Sequence, residues 1–407
     1  MTQMGNWRRS VPVFVFQQLT AAVLFAALWA LPTLACAQMT EVPEARHPVF
    51  ADDLDYSGLF RAIGQTIAYY EKLPPSRRMA YGPDTYAVED LISGLRRFQQ
   101  FVEKKPSAGA LKKFFRKNAR VYAHIEQSKP VSVLFTGYYE PVIQGSRKKT
   151  GLFQYPVYGR PKDLVELDLS AFDAGCDSRS AVGRLAEGRV VPYYDRRTID
   201  TSDVLQARAE VIAWVADPVK LFFLHVQGSG RIRLQDGDMI AVQFDITNGR
   251  PYKSIGKYLI DKGKIERSEM SMQAIAAYLE KHPGEIREVL FSNPRYVFFR
   301  KARGGPKGSL GVDLTPGRSV ALDRDVSPAG ALLFICAKKP PDRNAAGRKH
   351  DWVPFCRFAC SQDTGSAISG KKRADLFWGS GAGARMAAGH MQHRGRIYYL
   401  VILPKSG

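Results

Sequence analysis

From Val131 onward the chain becomes a succession of short apolar stretches divided by irregular loops that carry Gly and Pro. Stretches of this length cannot each supply a helix face, so they must pair as strands. Val131–Phe135 is the first, and Thr136-Gly137-Tyr138-Tyr139-Glu140-Pro141 leaves it. Leu221–Gln227 reads as a buried strand. Ile240, Val242, Phe244 and Ile246 alternate with a period of two, and Asn248-Gly249 marks the turn that follows. After Pro294 come Tyr296–Arg300, Ser319–Leu322, Ala331–Cys336, Phe355–Cys360, Ala374–Trp378 and Arg396–Leu403. Strands so short and so numerous predict a small β-barrel. Two helices interrupt them, one over Ser254–Lys262 and one that starts from a Ser271 cap and runs through Met272, Ile275 and Leu279.

Upstream, residues 55–125 read as helical. Phe60, Ile63, Ile67 and Tyr70 recur at spacings of three and four, as do Val88, Leu91, Leu95, Phe98 and Val102, with Asp84 as the expected cap of the second stripe. Further upstream, Arg8 and Arg9 precede an apolar run that ends at Leu34, and Ala35-Cys36-Ala37 gives a small-x-small cleavage signal. The pattern predicts a signal peptide over residues 1–37. As a membrane anchor, the uninterrupted run Leu19–Leu31 falls short of a span of about 20 residues. Lipidation at Cys36 competes with simple cleavage, although Thr33 stands where a lipid-anchoring box wants a larger aliphatic residue.

Export would place the remaining cysteines, Cys176, Cys336, Cys356 and Cys360, in an oxidising compartment. Cys356 and Cys360 lie four apart on one strand, roughly 13 Å from each other, too far to bridge. Cys336 ends one strand and Cys356 begins the next, so that pair is predicted to close a hairpin, and Lys338–Asp351 is predicted to be an exposed basic loop. The 407 residues suit two or three domains. The 59 Lys and Arg exceed the 39 Asp and Glu, a net charge of +20. The bases are scattered, as at Lys148, Lys149, Lys371 and Lys372, with no zipper heptads and no zinc-finger spacing, so they read as a solvated surface and no nucleic-acid partner is expected.

The common catalytic sets are missing. There is no HExxH and no G-x-S-x-G. Gly379-x-Gly381-x-x-Ala384 has the form of a dinucleotide fingerprint, but the sequence after it leaves no room for the helix, strand and acid that the motif needs; these glycines read as a tight loop. His390-x-x-His393 reads as a surface loop, and no metal is expected. Three aspartates do stand at strand positions: Asp323 after Ser319–Leu322, Asp363 after Phe355–Cys360, and Asp375 within Ala374–Trp378. Taken alone, each is a turn former or an Asx cap.

Their local sequences say more. Asp363-Thr364-Gly365-Ser366-Ala367-Ile368 with Gly370 and Arg373-Ala374-Asp375, together with Ser319–Asp323 and Pro328-x-Gly330, resembles the three-aspartate "3D" signature of the lytic murein transglycosylase A family. Phe135–Arg147, Phe153–Pro156, Val226–Gly230, Tyr252–Gly263 and Met270–Ile275 are similar to that family's upstream motifs, in the same order, so the resemblance covers about residues 50–404. One departure is Ser366, where the family usually carries a second Gly after the aspartate.

The resemblance implies a mainly β protein with helices. A double-psi β-barrel domain, split over residues 38–140 and 246–407, would carry a second β domain inserted at 141–245, with a groove between them. It implies cleavage of the β-1,4 bond from N-acetylmuramic acid to N-acetylglucosamine in peptidoglycan, leaving a 1,6-anhydro end. Asp363 would be the sole general acid and base, and Asp375 and Asp323 would support it. Thr136, Tyr138, Tyr139, Glu140, Gln227, Ser229 and Gly230 would line the groove. No cofactor is implied. The partners would be peptidoglycan glycan strands in the periplasm, with cell-wall synthesis or division proteins and outer-membrane association through Cys36 as further expectations. A glycan-binding module without catalysis and a muramidase hydrolase are the alternatives.

Overall fold

The structure is a computed structural model that describes residues 38–169, 180–339, 352–365 and 367–404. The predicted signal peptide with Cys36, Cys176, Ser366 and most of the predicted basic loop lie outside these residues.

Six strands close on themselves. His393–Ile402 pairs with Leu332–Lys339, which pairs with Val353–Asp363, then Ser319–Ala321, Arg373–Ser380 and Val133–Glu140, which returns to His393–Ile402. Two of the six contacts are parallel, Ser319–Ala321 on Val353–Asp363 and Arg373–Ser380 on Val133–Glu140, and the others are antiparallel. Closure depends on a close approach at Gly395, which faces Val133 across one seam while its neighbour Arg396 faces Cys336 across the other. A Cβ there would lie 2.3 Å from the Cys336 carbonyl oxygen and 2.8 Å from the Phe135 ring. The predicted disulfide forms between Cys336 and Cys356, which stand directly opposite on adjacent strands, and Cys360 stays a buried free thiol.

A second sheet runs in the order Val297–Ala302, Met239–Thr247, Ser229–Leu234, Val142–Ser146, Val211–Val215, Tyr155–Tyr158, with its own apolar core. The barrel strand Val133–Glu140 passes straight into it through Pro141, and its last strand comes from beyond residue 245. Helices Ile255–Asp261, Met272–Lys281 and Ile286–Phe291 pack into a third apolar cluster; Ser254 and Ser271 cap the first two as the sequence predicts.

Several sequence expectations are corrected. Leu221–Gln227 is not a strand but most of the helix Pro218–Gln227, capped by the Asp217 carboxylate on the Val219 and Lys220 amides and ended by left-handed Gly228. It looked like a strand because it is buried on two sides, Leu221 and Leu224 against the second sheet and Val219 and Phe222 against the helices, so its apolar pattern has no polar face. Asp84 caps no helix. It opens Asp84–Ala87, half of a hairpin with Arg78–Tyr81, and accepts a 2.6 Å hydrogen bond from the Tyr122 hydroxyl. The span 55–125 therefore holds three helices, Leu59–Tyr70, Val88–Val102 and Ala108–Asn118, but also this hairpin and most of the strand Ala119–Glu126. The glycines after Gly379 form no loop, because Gly381–His390 is helical; His390 ends that helix and His393 starts the next strand, stacked on Trp352.

Two buried ion pairs lock the N-terminal segment onto the barrel. The Arg318 guanidinium grips Asp52 at 2.6 and 2.8 Å, and both side chains are 0% exposed. Arg357 grips Asp53 at 2.7 Å through two nitrogens. Burial alone would push the Asp52 carboxyl up, but Arg318 and the Phe358 and Tyr56 amides hold it below the usual value. A depressed carboxyl contributes stability that is complete above the unfolded-state value and is lost as pH falls through the folded one. We expect Asp52→Asn to lower unfolding stability by about 3–5 kcal/mol, because Arg318 is left charged and buried. The loss should shrink toward strongly acid pH, as read by denaturant unfolding over a pH series.

Candidate active site

Asp363 ends the longest barrel strand, and a bulge aims it. Val320 faces Ser361 and Ala321 faces Asp363, so Gln362 between them has no partner across the ladder. The Gln362 side chain is buried instead. Its amide nitrogen donates to the Ala62 carbonyl and Thr66 hydroxyl at 2.7 and 3.0 Å, and its oxygen accepts from Ser319 at 2.6 Å. With Gln362 turned toward the helix Leu59–Tyr70, the ladder aligns Asp363, Ala321, Asp375 and Thr136 in one row across four strands. Tyr138 lies two residues beyond Thr136, on the same face.

The Asp363 carboxylate is half-buried, and its two oxygens differ. Oδ1 accepts from the Ser309 amide at 2.9 Å and from the Thr364 amide at 2.8 Å, whereas Oδ2 accepts from the Tyr138 hydroxyl at 2.9 Å. Burial raises the carboxyl above the usual aspartate range despite these donors. Asp375 is pushed up to about 7, first by burial and further by the charge of Asp363, and its Oδ1 is buried without a hydrogen-bond partner.

Asp363, Asp375 and Tyr138 border a cavity of about 570 Å³. The second sheet and its helices supply the facing wall, with Gln227, Ser229, Gln243 and Phe244 among its residues. Phe244 is 44% exposed there and offers an open ring face.

The other expected residues are placed differently. Thr136, Tyr139, Glu140 and Gly230 do not border this cavity. The Tyr139 amide donates to Gln227 Oε1 at 2.9 Å, Glu140 is buried in an ion pair with Arg231 at 3.1 Å, and Gly230 packs against Leu224 and Pro141. Tyr139, Glu140 and Gly230 hold the wall that presents Gln227 and Ser229, whereas Thr136 faces Asp375 on the barrel and donates to the Ala374 carbonyl at 3.4 Å. Asp323 also lies off the cavity. Its carboxylate accepts from the Asp325 and Gly370 amides at 2.9 and 2.5 Å, bracing the loop that follows Asp363.

Sequence reasoning does not find Ser309, because it acts through its backbone. The only trace is its neighbour Gly308, where a Cβ would meet the Gln362 carbonyl oxygen at 2.3 Å. Only glycine lets this loop come close enough to reach Asp363. The second wall holds the same loop, since Gln243 Nε2 donates to the Lys307 carbonyl at 2.8 Å.

Such an arrangement can carry out acid–base chemistry on a bound ligand, with two raised carboxyls on the floor and an amide, a hydroxyl and a ring face opposite. Among known proteins, residues 134–300 match the profile of the MltA specific insert domain and residues 318–401 that of the 3D domain. The membrane-bound lytic murein transglycosylase A of Escherichia coli K12 is 35% identical over 282 residues, covering 68% of this chain and 67% of the relative. Its namesake in Vibrio cholerae is 32% identical over 274 residues, covering 66% and 65%. The match thus spans about two thirds of these relatives' own length. The crystal structure of membrane-bound lytic murein transglycosylase from Agrobacterium tumefaciens superposes with a TM-score of 0.73 at 32% identity, covering 90% of this chain and 98% of that one. That of E. coli MltA with bound chitohexaose has a TM-score of 0.70 at 25% identity, covering 91% and 97%.

In the window between the ordinary aspartate value of 3.8 and about 7, folded Asp375 keeps a proton that the unfolded chain has released. Stability therefore falls as pH rises through that window. We expect Asp375→Asn to flatten this decline, measured as urea midpoints from pH 4 to pH 8.

Proposed function

We propose that this chain, which belongs to the membrane-bound lytic murein transglycosylase A family, cleaves the β-1,4 bond between N-acetylmuramic acid and N-acetylglucosamine with Asp363 as its only acid and base. The carrying observation is the asymmetry of the Asp363 carboxylate. Oδ1 is fully engaged by two amides, so the acidic proton sits on Oδ2, which has one position left beside the Tyr138 hydroxyl.

The chemistry follows from that proton. Oδ2 gives it to the glycosidic oxygen as the bond to the muramic C1 breaks. The muramic C6 hydroxyl then attacks C1 and returns its own proton to Oδ2. One C–O bond is broken and one formed, the carboxyl is regenerated, and no water is consumed. A glycoside hydrolase needs a second carboxyl for the water or nucleophile on the opposite face. Here the nucleophile is held on the same ring, where intramolecular attack is worth an effective molarity of up to about 10⁵–10⁸ M. Between the two transfers, the three donors on Asp363 stabilise its anion. Asp375, protonated below about pH 7, adds no competing charge, and Asp323 shapes the loop after Asp363.

The substrate lies in a groove between a discontinuous double-psi barrel domain and the inserted β domain. Phe244 stacks on a sugar ring, and Gln227 and Ser229 meet its amide and hydroxyl groups. Residues 1–37 deliver the chain to the periplasm, where the Cys336–Cys356 bond is stable. The relative solved with chitohexaose supports an N-acetylated glycan ligand.

Asp363→Asn keeps the shape of the side chain and loses the proton. Release of anhydro-muropeptides from purified sacculi should fall by roughly 10²–10⁴-fold or more, with co-sedimentation retained. Products of the parent chain should weigh one water less than reducing ends, as read by mass spectrometry; reducing ends would make it a hydrolase. Tyr138→Phe removes a donor from the Asp363 anion, so the pH at which turnover falls on the alkaline side should move up while KM stays nearly unchanged.

A further inference from the structure

The cavity wall opposite Asp363 carries more positive charge than the chain itself neutralises. Four bases border the cavity: Arg196, Arg295, Arg300 and Lys307. Arg196 has Asp200 at 3.8 Å, and Lys307 has Asp313 at 3.3 Å. Among the described residues, Arg295 and Arg300 have no acid within ion-pair distance, and the one side-chain bond of Arg300 is a 3.5 Å contact to Gln243 Oε1. Arg295 is half-buried, and its main-chain carbonyl accepts from the Arg196 guanidinium at 2.8 Å.

The surroundings do not offset this. His225, between the helix Arg196–Thr201 and the second sheet, accepts from Arg196 at its Nδ1, at 3.0 Å, which fixes it as neutral. Burial and the Arg196 charge drive it well below its ordinary value, in the same sense. Of the three acids bordering the cavity, Asp363 and Asp375 are both raised and favour the neutral form; the third is Asp245. Burial also pulls Arg295 below the usual guanidinium value, the sign of a charge held without compensation. Two uncompensated guanidinium forks in a substrate cavity suit an incoming carboxylate, which they can bind through paired N–H donors.

We propose that Arg295 and Arg300 form a carboxylate-binding subsite that recognises the acid groups borne by muramic residues and so separates murein from uncharged N-acetylglucosamine polymers. The proposal rests on the glycan reading above. Muramic acid carries its carboxyl on the lactyl arm, free or extended by a peptide that bears carboxylates of its own, whereas N-acetylglucosamine carries none. Once bound, the anion fixes which sugar of the alternating strand stands over Asp363, so recognition of the arm also sets the register of cleavage.

The test measures binding in the full chain carrying Asp363→Asn, with three probes: an N-acetylglucosamine hexamer, murein strands stripped of peptide, and peptide-bearing murein strands. Arg295→Gln and Arg300→Gln, singly and together, should weaken a carboxylate-bearing probe by about tenfold per arginine and leave the hexamer unchanged. Loss on both murein probes identifies the lactyl carboxylate as the ligand, and loss on the peptide-bearing strands alone identifies the peptide. Arg300 is exposed, so its variant keeps the test decisive if Arg295→Gln fails to fold. Equal weakening of all three probes, or no weakening of either murein probe, overturns the subsite while leaving the glycan reading intact. A parent chain that binds none of the three overturns both.

Discussion

The ion pair between Arg318 and Asp52 joins the first described segment to the start of the shortest barrel strand. The strand that follows Arg318, Ser319–Ala321, is three residues long, yet it is the strip on which Asp363 and Asp375 are set side by side. Three residues of ladder cannot hold such a strip rigid. Its support comes from outside the sheet: Asp52 on Arg318, and the Gln362 amide, which ties the neighbouring strand to the helix Leu59–Tyr70. Both supports are buried and hydrogen-bonded, the condition under which polar groups add definition to a core. The helices ahead of the barrel thus act as the backing of the site.

The opposite wall reaches the same carboxylate by another route. Gln243, on the second sheet, holds the Lys307 carbonyl; two residues on, the Ser309 amide meets Asp363. The two sheets therefore meet in one loop as well as across a cavity. A shift of the second sheet would therefore reach one donor of the Asp363 carboxylate, the Ser309 amide, which links the acid strength of the site to the spacing of its walls.

How much of this can be read from the chain depends on which atoms do the work. Barrel strands such as Leu332–Lys339 are legible because continuous apolar runs of that length have few other uses. The helix Pro218–Gln227 is not, because burial on two sides erases the polar face that distinguishes a helix, even with Asp217 and Pro218 at its start. Asp363 is legible through its motif, and the Cys336–Cys356 bond through the placing of both cysteines at a hairpin. Ser309 and Gln362 are not legible: one contributes a main-chain amide, and the other acts through a bulge that no spacing rule announces. Tyr138 borders the cavity as its motif implies, but its contact with the Asp363 carboxylate is not legible, and its neighbour Tyr139 does not border the cavity. Arg295 and Arg300 sit in a basic composition that hides them, and only the location of the acids separates them from the other bases.

The partners of the N-terminal clasp lie far apart in the chain. Asp52 and Arg318 are 266 residues apart, and Asp53 and Arg357 are 304 apart. While the chain is being made, the aspartates appear first and wait for arginines that follow much later. Contacts of such long sequence separation form late. Asp363 arrives later still, and the barrel closes only when His393–Ile402 finds both of its neighbours. A fragment therefore has no assembled site at any length short of nearly the whole chain. Chain order itself serves as a safety catch on the site, released only once the last barrel strand is in place.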